Sequence, residues 1–557
     1  MMAFGSGIRG VFLYDDVKEI AENPNLRTLW PLTTPLFRSH ILPVRPVPYL
    51  TFALNETWQQ NNVIGFHVVN IGLHICSAWL LYAIVLFTLA RTRYALGEPH
   101  AAPILACLIS LIWLIHPLQT QAVTYIYQRM ELLFAFFLLL TWWTFIKAVS
   151  SPTLVMRQRW LISSVMACYL GMLSKEVMVI APILILWYDR VFIVSSWREL
   201  LTLRWKYYLG LSLGWVLLAI LIQSQAALYV ENTRPMPTAW EYLLTESQVI
   251  FHYLNLSFWP RQLCFDYGWP IVTSFSTVQW EFGLLAGLFA ITLYLMWWKP
   301  AWGFVAGLFF LILAPTSSIK PVLAPCCEYR MYLPLAMLIS LVVLLGYALG
   351  KRLGNMAGKR EMITITLILL CGSCIMLSYS RCSLYADYRQ LWEDTSAKAP
   401  HNFLPHYLLS RYYAEHDEPI LALRSSQKAV ELNPHDADAM NNLGLCLIEL
   451  NQLPEAKQTL QTCIEKFPQH ADAYANLGVL SAMQGEMVEA RKYLEQAIHL
   501  NPQQLHARLN LARILLETQQ DVRGAQTQLI EILKQDPQQA QAIELLQQLR
   551  SAHPAPR

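Results

Sequence analysis

Charge is scarce in this sequence. Asp, Glu, Lys and Arg make up 14% of its 557 residues, while 55% are hydrophobic and 12% aromatic. With a mean hydropathy of +0.34, a purely soluble protein and a disordered one are both excluded, because neither class carries so much apolar surface. There is no basic run, so nucleic acid is not an expected partner. There is no Gly-rich nucleotide-binding loop. Met1 to Gly10 contains no apolar h-region of the kind a cleavable signal peptide needs. The cysteines number 11, an odd count. Cys76, Cys107, Cys168, Cys371 and Cys374 lie in apolar stretches as packing residues. The adjacent Cys326-Cys327 suits neither a zinc site nor an easy disulfide.

What charge and tryptophan there are fall unevenly. Residues 401–557 hold 13 Lys and Arg against 18 Asp and Glu, so residues 1–400 carry the basic excess. All 19 Trp precede residue 400. A Trp-rich, charge-poor front joined to a Trp-free, charged tail reads as a membrane domain followed by a soluble one. Apolar stretches at 67–90, 101–116, 131–148, 160–174, 177–190, 207–222, 280–298, 302–314, 331–350 and 362–380 predict about ten spans. Several are shorter than the ~20 residues a crossing needs, so the crossings are expected to extend into polar flanks. Arg and Lys cluster in alternate short loops: Arg91 with Arg93, Lys147 with Arg157 and Arg159, Arg190 with Arg198, Arg204 and Lys206, Lys299, and Lys351 with Arg352, Lys359 and Arg360. That alternation places these loops in the cytoplasm. Residues 1–66, the 116–130 loop, Lys175-Glu176, residues 223–279, the 315–330 loop and the tail then lie outside. The apolar stretch 240–260 is expected to be an interfacial helix ending at Trp259-Pro260.

The tail is periodic. Pro434, Pro468, Pro502 and Pro537 are 34, 34 and 35 residues apart, the period of the tetratricopeptide (TPR) repeat. Tyr474, Leu477, Gly478, Ala490, Leu494, Ala497 and Pro502 give its fullest form. Small residues let paired helices approach and large ones fill the seam. Four repeats are predicted over 403–550, after a linker at 381–402. The expected fold class is all-α, a polytopic membrane domain over 67–380 followed by a TPR α-solenoid. Such a solenoid offers a concave groove to a protein or peptide partner, or serves only as a spacer or a dimerisation module.

Charges at membrane depth cost ~2.5–3.5 kcal/mol each on insertion scales, so they are functional candidates. Here they gather on the outer side: Asp15-Asp16, His67 with Asn70 and His74 on one helical face, His116-Pro117, Arg129 with Glu131, Lys175-Glu176, and Glu328 with Arg330. Each has a plainer reading. The aspartates suit a turn or a helix N-cap. Two histidines seven apart are more often packed than metal-bound. The Arg–Glu and Lys–Glu couples suit structural ion pairs or snorkelling anchors.

Tyr14-Asp15-Asp16, Arg45-Pro46-Val47, Gly65 to Asn70 with His74, His116-Pro117-Leu118, Arg129 to Leu133, Ser174-Lys175-Glu176, Tyr253 to Tyr267 and Glu328 to Pro334 come in order. This ordered set resembles the transmembrane-and-TPR O-mannosyltransferase family and its bacterial relatives. The resemblance implies a GT-C glycosyltransferase fold and a polyprenyl-phosphate-linked sugar donor, with the acidic pair of the first outer loop at Asp15 and Asp16. It further implies a transmembrane helix ahead of that loop, of which Gly7 to Tyr14 looks like the outer edge; a first helix is therefore expected upstream of Met1.

The chemistry such an enzyme needs matches the inventory. A carboxylate within reach of an acceptor hydroxyl takes its proton, so Asp15 and Asp16 are the expected base and its positioner, in either order. Arg holds a phosphate with a two-pronged fork, which makes Arg330, Arg129 and Lys175 the expected lipid-phosphate ligands. His67, His74, His116, Glu131, Glu176 and Glu328 are expected to contact the sugar or support those ligands. Direct displacement inverts the anomeric carbon. The scheme requires no cofactor and no metal, though a divalent ion is compatible with it. The expected setting is a bacterial inner membrane with the active site and TPR tail on the periplasmic side. The expected partners are the lipid donor, membrane lipid and a protein acceptor held by the TPR groove. The rival readings are a non-catalytic TPR scaffold for envelope proteins and a flippase for a lipid-linked sugar.

Overall fold

The computed structural model describes residues 2–30, 45–59, 62–92, 94, 96, 98, 100–226, 236–318, 321–322, 324–352, 359–518 and 521–552. Every regular element among them is helical. Residues 1–394 form one compact unit and residues 395–557 another.

The first unit begins with a 3-10 helix, Met2–Arg9, and two further short turns, Val17–Ala21 and Pro24–Leu26. Helix α1 (Pro46–Gln59) follows. Residues 1–66 are therefore not simply a loop. Tyr49, Phe52 and Ala53 of α1 pack with Ile20, Leu26, Phe66 and Ile126 into one core. Helix α2 (Val63–Arg91) starts at an N-cap, Asn62, whose side chain accepts the Ile64 N–H, so the span opens a turn earlier than residue 67. Then come α3 (Ala101–Ile115), α4 (Thr120–Thr124), α5 (Arg129–Val149), α6 (Leu154–Met172), α7 (Ala181–Tyr188), α8 (Trp197–Ala226), α9 (Ala239–Phe258), α10 (Gln279–Trp298), α11 (Pro300–Leu313), α12 (Pro334–Arg352), α13 (Lys359–Leu384) and α14 (Tyr388–Lys398).

All ten predicted stretches are helical, but they are not ten long spans. Six helices among the described residues are long and apolar enough to cross a membrane: Val63–Arg91, Ile126–Val149, Trp197–Gln223, Gln279–Trp298, Pro334–Arg352 and Thr364–Leu384. A seventh forms only if α3 is joined to residues 117–124 across a 55° bend. The bend falls at Pro117, which has no N–H to continue the α3 ladder. The stretch 302–314 lies on the 14-residue α11, and 177–190 breaks into a 3-10 turn, α7 and a π-helical turn. Arg157 and Arg159 dilute the start of α6. The stretches 160–174 and 207–222 do lengthen into polar flanks, starting at Leu154 and Trp197, whereas 177–190 and 302–314 stay short.

Much of the stretch 381–402, expected to be a linker, is helical. Helix α13 runs through Arg381 to Leu384, and α14 follows three residues later. Leu391 and Trp392 of α14 are fully buried, which fastens this helix to the membrane unit.

The second unit is four antiparallel helix pairs: α15 (Phe403–Glu415) with α16 (Pro419–Leu432), α17 (Ala437–Glu449) with α18 (Leu453–Lys466), α19 (Ala471–Met483) with α20 (Met487–Leu500), and α21 (Leu505–Glu517) with α22 (Val522–Gln535). A single helix, α23 (Ala540–Ala552), closes it. The periodic prolines explain the period. Each stands one residue beyond the C-cap of a second helix, namely Asn433, Phe467, Asn501 and Asp536, where a proline stops the helix. Within each repeat the small residue is the point of closest approach. A methyl placed on Gly478 would lie 2.6 Å from Leu494 Cγ and 3.2 Å from the Ala490 carbonyl oxygen. Gly478→Val should therefore splay α19 from α20 and cost about 1–3 kcal/mol by overpacking. Denaturant unfolding of residues 395–557 measures this; unchanged stability would mean the close approach is not structural.

Candidate functional site

The acidic pair is built by a strained turn. Tyr14 takes φ +44°, a left-handed conformation that costs a non-glycine residue about 1–3 kcal/mol. The turn is held from the next residues. Asp16 is fully buried; its Oδ2 accepts the Leu13 N–H at 3.0 Å and its Oδ1 accepts the Tyr127 N–H at 2.7 Å. Burial raises its pKa well above the usual carboxylate range, against the pull of those two bonds. Both oxygens are thus spent on backbone. Asp15 is different. It is partly exposed, and its Oδ2 accepts the Tyr125 hydroxyl at 2.8 Å while its own N–H donates back to that oxygen at 3.2 Å. Burial raises its pKa and the Tyr125 bond lowers it. The two aspartates, expected to share one task, are divided by the fold: Asp16 ties the turn to the 125–127 segment, and Asp15 keeps one oxygen, Oδ1, outside that tie.

The expected phosphate ligands, Arg129, Lys175 and Arg330, all have partners within the protein. Arg129 is fully buried. Its Nε donates to Asn70 Oδ1 at 2.8 Å, Nη1 to Asn55 Oδ1 at 2.7 Å and to the Thr51 carbonyl at 3.1 Å, and Nη2 to the Phe66 carbonyl at 3.0 Å. The guanidinium lies over the Phe52 ring at 4.7 Å. It is the bolt joining α1, α2 and α5. Lys175 is buried and pairs with Glu131, and its ammonium sits 5.0 Å from the Tyr329 ring centre. Arg330 donates to the carbonyls of Ala324 and Pro325 and pairs with Glu246 at 3.5 Å. Burial raises Glu246 to about 7, opposed by Arg330.

The remaining predicted residues divide in the same way. Glu176 forms a two-pronged pair with Arg45, Oε2 to Nε at 3.1 Å and Oε1 to Nη2 at 2.7 Å. Burial opposes the Glu176 charge, but Arg45 and Lys175 hold its pKa down at about 2. Glu328 is fully buried and accepts the Cys264 N–H at 2.6 Å and the Tyr267 hydroxyl at 2.8 Å, pinning the 262–267 segment. His74 donates from Nε2 to the Leu114 carbonyl at 2.9 Å and accepts the Tyr332 hydroxyl on Nδ1 at 2.7 Å. His116 Nδ1 accepts the Leu118 N–H at 3.1 Å, so its Nε2 donates to the Ser257 carbonyl at 3.1 Å. These two histidines are packing and capping residues. His67 is buried, and its Nε2 has no hydrogen-bond partner among the described residues; it stands 2.9 Å from where a Gly10 side chain would begin. Among the described residues no three His, Cys, Asp or Glu side chains gather to hold a metal ion.

An aromatic group extends from Tyr125, the hydrogen-bond partner of Asp15. The Tyr125 ring packs on Phe265 at 5.0 Å, Phe265 packs on Trp392 at 5.1 Å and on Tyr385 at 5.9 Å, and Trp392 meets Tyr14 at 6.1 Å. Sequence reading passed over Tyr125, Tyr385, Trp392, Arg45, Glu246 and Arg381. Arg45 stood in a motif and Arg381 at a span end, so both carried a signal; the aromatics carried none. Arg129→Gln should lower the thermal midpoint of the detergent-purified protein, because it strands the Thr51 and Phe66 carbonyls at about 1–3 kcal/mol each. A folded variant of wild-type midpoint that only binds donor less well would return Arg129 to the phosphate role.

A family model described as tetratricopeptide repeat matches residues 413–478 and 481–554. The chain is 23% identical to the protein O-mannosyl-transferase F38B6.6 of Caenorhabditis elegans, over 77% of this chain and 61% of that protein. It is 29% identical to the protein O-mannosyl-transferase Tmtc3 of Drosophila melanogaster, over 29% of this chain and 20% of that protein. The matched regions thus span less than two thirds of these relatives' own lengths. Among solved structures it is similar to MamA, at 22% identity and a TM-score of 0.25, over 29% of this chain and 93% of that one. In its six long apolar helices and TPR solenoid, and in its curated relatives, this chain is a multi-helix, TPR-bearing protein similar to the transmembrane-and-TPR protein O-mannosyl-transferases.

Proposed function

We propose that the protein is a GT-C-type membrane glycosyltransferase. It moves a sugar from a polyprenyl-phosphate donor to a hydroxyl of a protein acceptor on the outer, periplasmic side. The observation that carries this reading is Asp15, a half-buried carboxylate with one oxygen fixed by Tyr125, whose ring packs on Phe265. As the acceptor oxygen attacks the anomeric carbon, Asp15 takes its proton and the bond to the lipid phosphate breaks, which inverts the centre. Asp16 holds the turn that aims Asp15. The relatives' names supply the class of reaction, and the aromatic rings give a sugar apolar faces to stack on. The reaction requires no metal. The TPR unit presents the acceptor.

Asp15→Asn should cut transfer by about 10²-fold or more with an unchanged thermal midpoint, whereas Asp16→Asn should lower the midpoint too. Full transfer by Asp15→Asn would sink the enzyme reading.

The pH dependence has a definite sign. Burial raises the Asp15 pKa, and the base works only when ionised. The rate therefore falls as pH drops through a value above the ordinary ~3.9 of Asp. Tyr125→Phe removes a bond that favours the ionised form, so the acid limb of kcat/KM should move to higher pH. A limb that stays in place would exclude Asp15 as the titrating group.

A chain ending after Lys398 should still modify a short acceptor peptide but lose its preference for the natural protein. A chain ending after Arg381 should lose both, because Trp392 and Asp394 leave the membrane unit. Comparing the two purified truncations checks this, and equal activity would remove α14 from the site.

A further inference from the structure

A cleft of about 520 Å³ opens beside α9, and none of the residues named around Asp15 lines it. Gln248, His252 and Asn255 line it from α9, where spacings of four and three put them on one face. Helix α9 is not one of the six helices long and apolar enough to cross a membrane, and a helix face this polar meets water or a polar ligand. Phe258 and Glu281, the latter in the first turn of α10, also line the cleft. A further wall, Trp269, is made by folding the 266–272 segment back along α9. Gly268 takes φ +52°, a left-handed conformation that glycine adopts freely, and its N–H donates to Asp266 Oδ1 at 3.0 Å. Before this turn the Tyr267 hydroxyl donates to Glu328 at 2.8 Å; after it the Val272 N–H donates to Thr245 Oγ1 of α9 at 2.9 Å. Trp269 is held between these two ties, its ring 5.0 Å from that of His252, which also meets Tyr267 at 4.9 Å. His252 Nε2 and Trp269 Nε1 are buried with no hydrogen-bond partner among the described residues, and such atoms call for an explanation. Burial lowers the His252 pKa to about 4, so its ring is neutral at pH 7, with one nitrogen a donor and the other an acceptor. Among the described residues Glu281 is the one charged side chain in the lining, and no cation lines it.

We propose that this cleft is a sugar-binding site separate from the Asp15 centre, and that its ligand is a neutral hexose. The Trp269 and Phe258 rings offer flat apolar faces to the C–H face of a pyranose. The Gln248 and Asn255 amides, the His252 ring and the Glu281 carboxylate offer donors and acceptors to its hydroxyls. A phosphate or an acidic sugar would find no cation here and one carboxylate to repel it. A purely apolar ligand would strip water from the polar face of α9 and give nothing in return. The inference goes beyond the transfer reaction, because this site binds a sugar without reacting with it and does not require Asp15 to act as a base.

The test is saturation-transfer NMR of the methyl glycosides of mannose, glucose and galactose with the full chain, in a detergent that has no sugar head group. At least one glycoside should bind, and Trp269→Ala and Asn255→Ala should each weaken that binding about tenfold or more. Asp15→Asn should leave it unchanged. Asn255 is exposed, so its variant decides the matter if Trp269→Ala does not fold. Failure of all three glycosides to bind, or binding that survives the Trp269 and Asn255 variants, would overturn the site. Binding abolished by Asp15→Asn would put the sugar at the transfer centre and overturn it too. A short peptide of serine and threonine that displaces the glycoside at equal concentration would make the cleft a peptide site, with the same consequence. All of these outcomes are read without transfer, so the enzyme reading stands or falls separately, on the transfer rate of Asp15→Asn.

Discussion

The Asp16 carboxylate accepts one backbone N–H from Leu13 beside it and another from Tyr127, 111 residues away. A buried carboxylate is expensive unless its oxygens are hydrogen-bonded, so this residue fixes the geometry of everything around it. It holds the strained Tyr14 turn, and that turn puts Asp15 against Tyr125. Tyr125 is in turn seated by Phe265, which Glu328 keeps in place by anchoring the neighbouring Cys264 N–H. Asp15 is thus positioned by a neighbouring carboxylate whose oxygens accept backbone N–H groups.

The same rule governs the other charges at this end of the molecule. Arg129, the Lys175–Glu131 pair, the Arg45–Glu176 pair and the Arg330–Glu246 pair each satisfy one another or the backbone. They join α1, α2, α5, α9 and the segments beside them where apolar packing alone would not specify one arrangement. Pairs of this kind gain little net stability over apolar replacements, but losing one partner is costly. Among the described residues, groups at this end with capacity to spare include Asp15 Oδ1, His67 Nε2 and, on Arg381, Nε and Nη2.

Helix α14 changes the meaning of the segment between the two units. Its polar, charged composition matches a connector, and its pattern offers only two large apolar residues, Leu391 and Trp392. Those two are enough. Once Trp392 is buried against Phe265, the segment becomes a wall of the candidate site. The four TPR pairs are more self-contained: small residues and prolines recur at fixed places, and each repeat packs mainly on the next.

The sequence alone determined the all-α class, the division into an apolar front and a repeat tail, and the place of Asp15 and Asp16 among the acidic candidates. These follow from composition and local periodicity, which a chain carries wherever it folds. Tertiary structure alone decided how many apolar runs become long helices, because the bend at Pro117 and the broken helices at 176–193 depend on what they pack against. It also decided which charges are spent. Arg129 and Arg381 are both cations at the ends of apolar stretches. Arg129 meets Asn55, Asn70 and two carbonyls and is satisfied; Arg381 meets one carboxylate, and its Nε and Nη2 have no hydrogen-bond partner among the described residues. Nothing local distinguishes them, because a hydrogen bond is made with whatever the fold brings within 3 Å, and those partners lie up to 78 residues away along the chain.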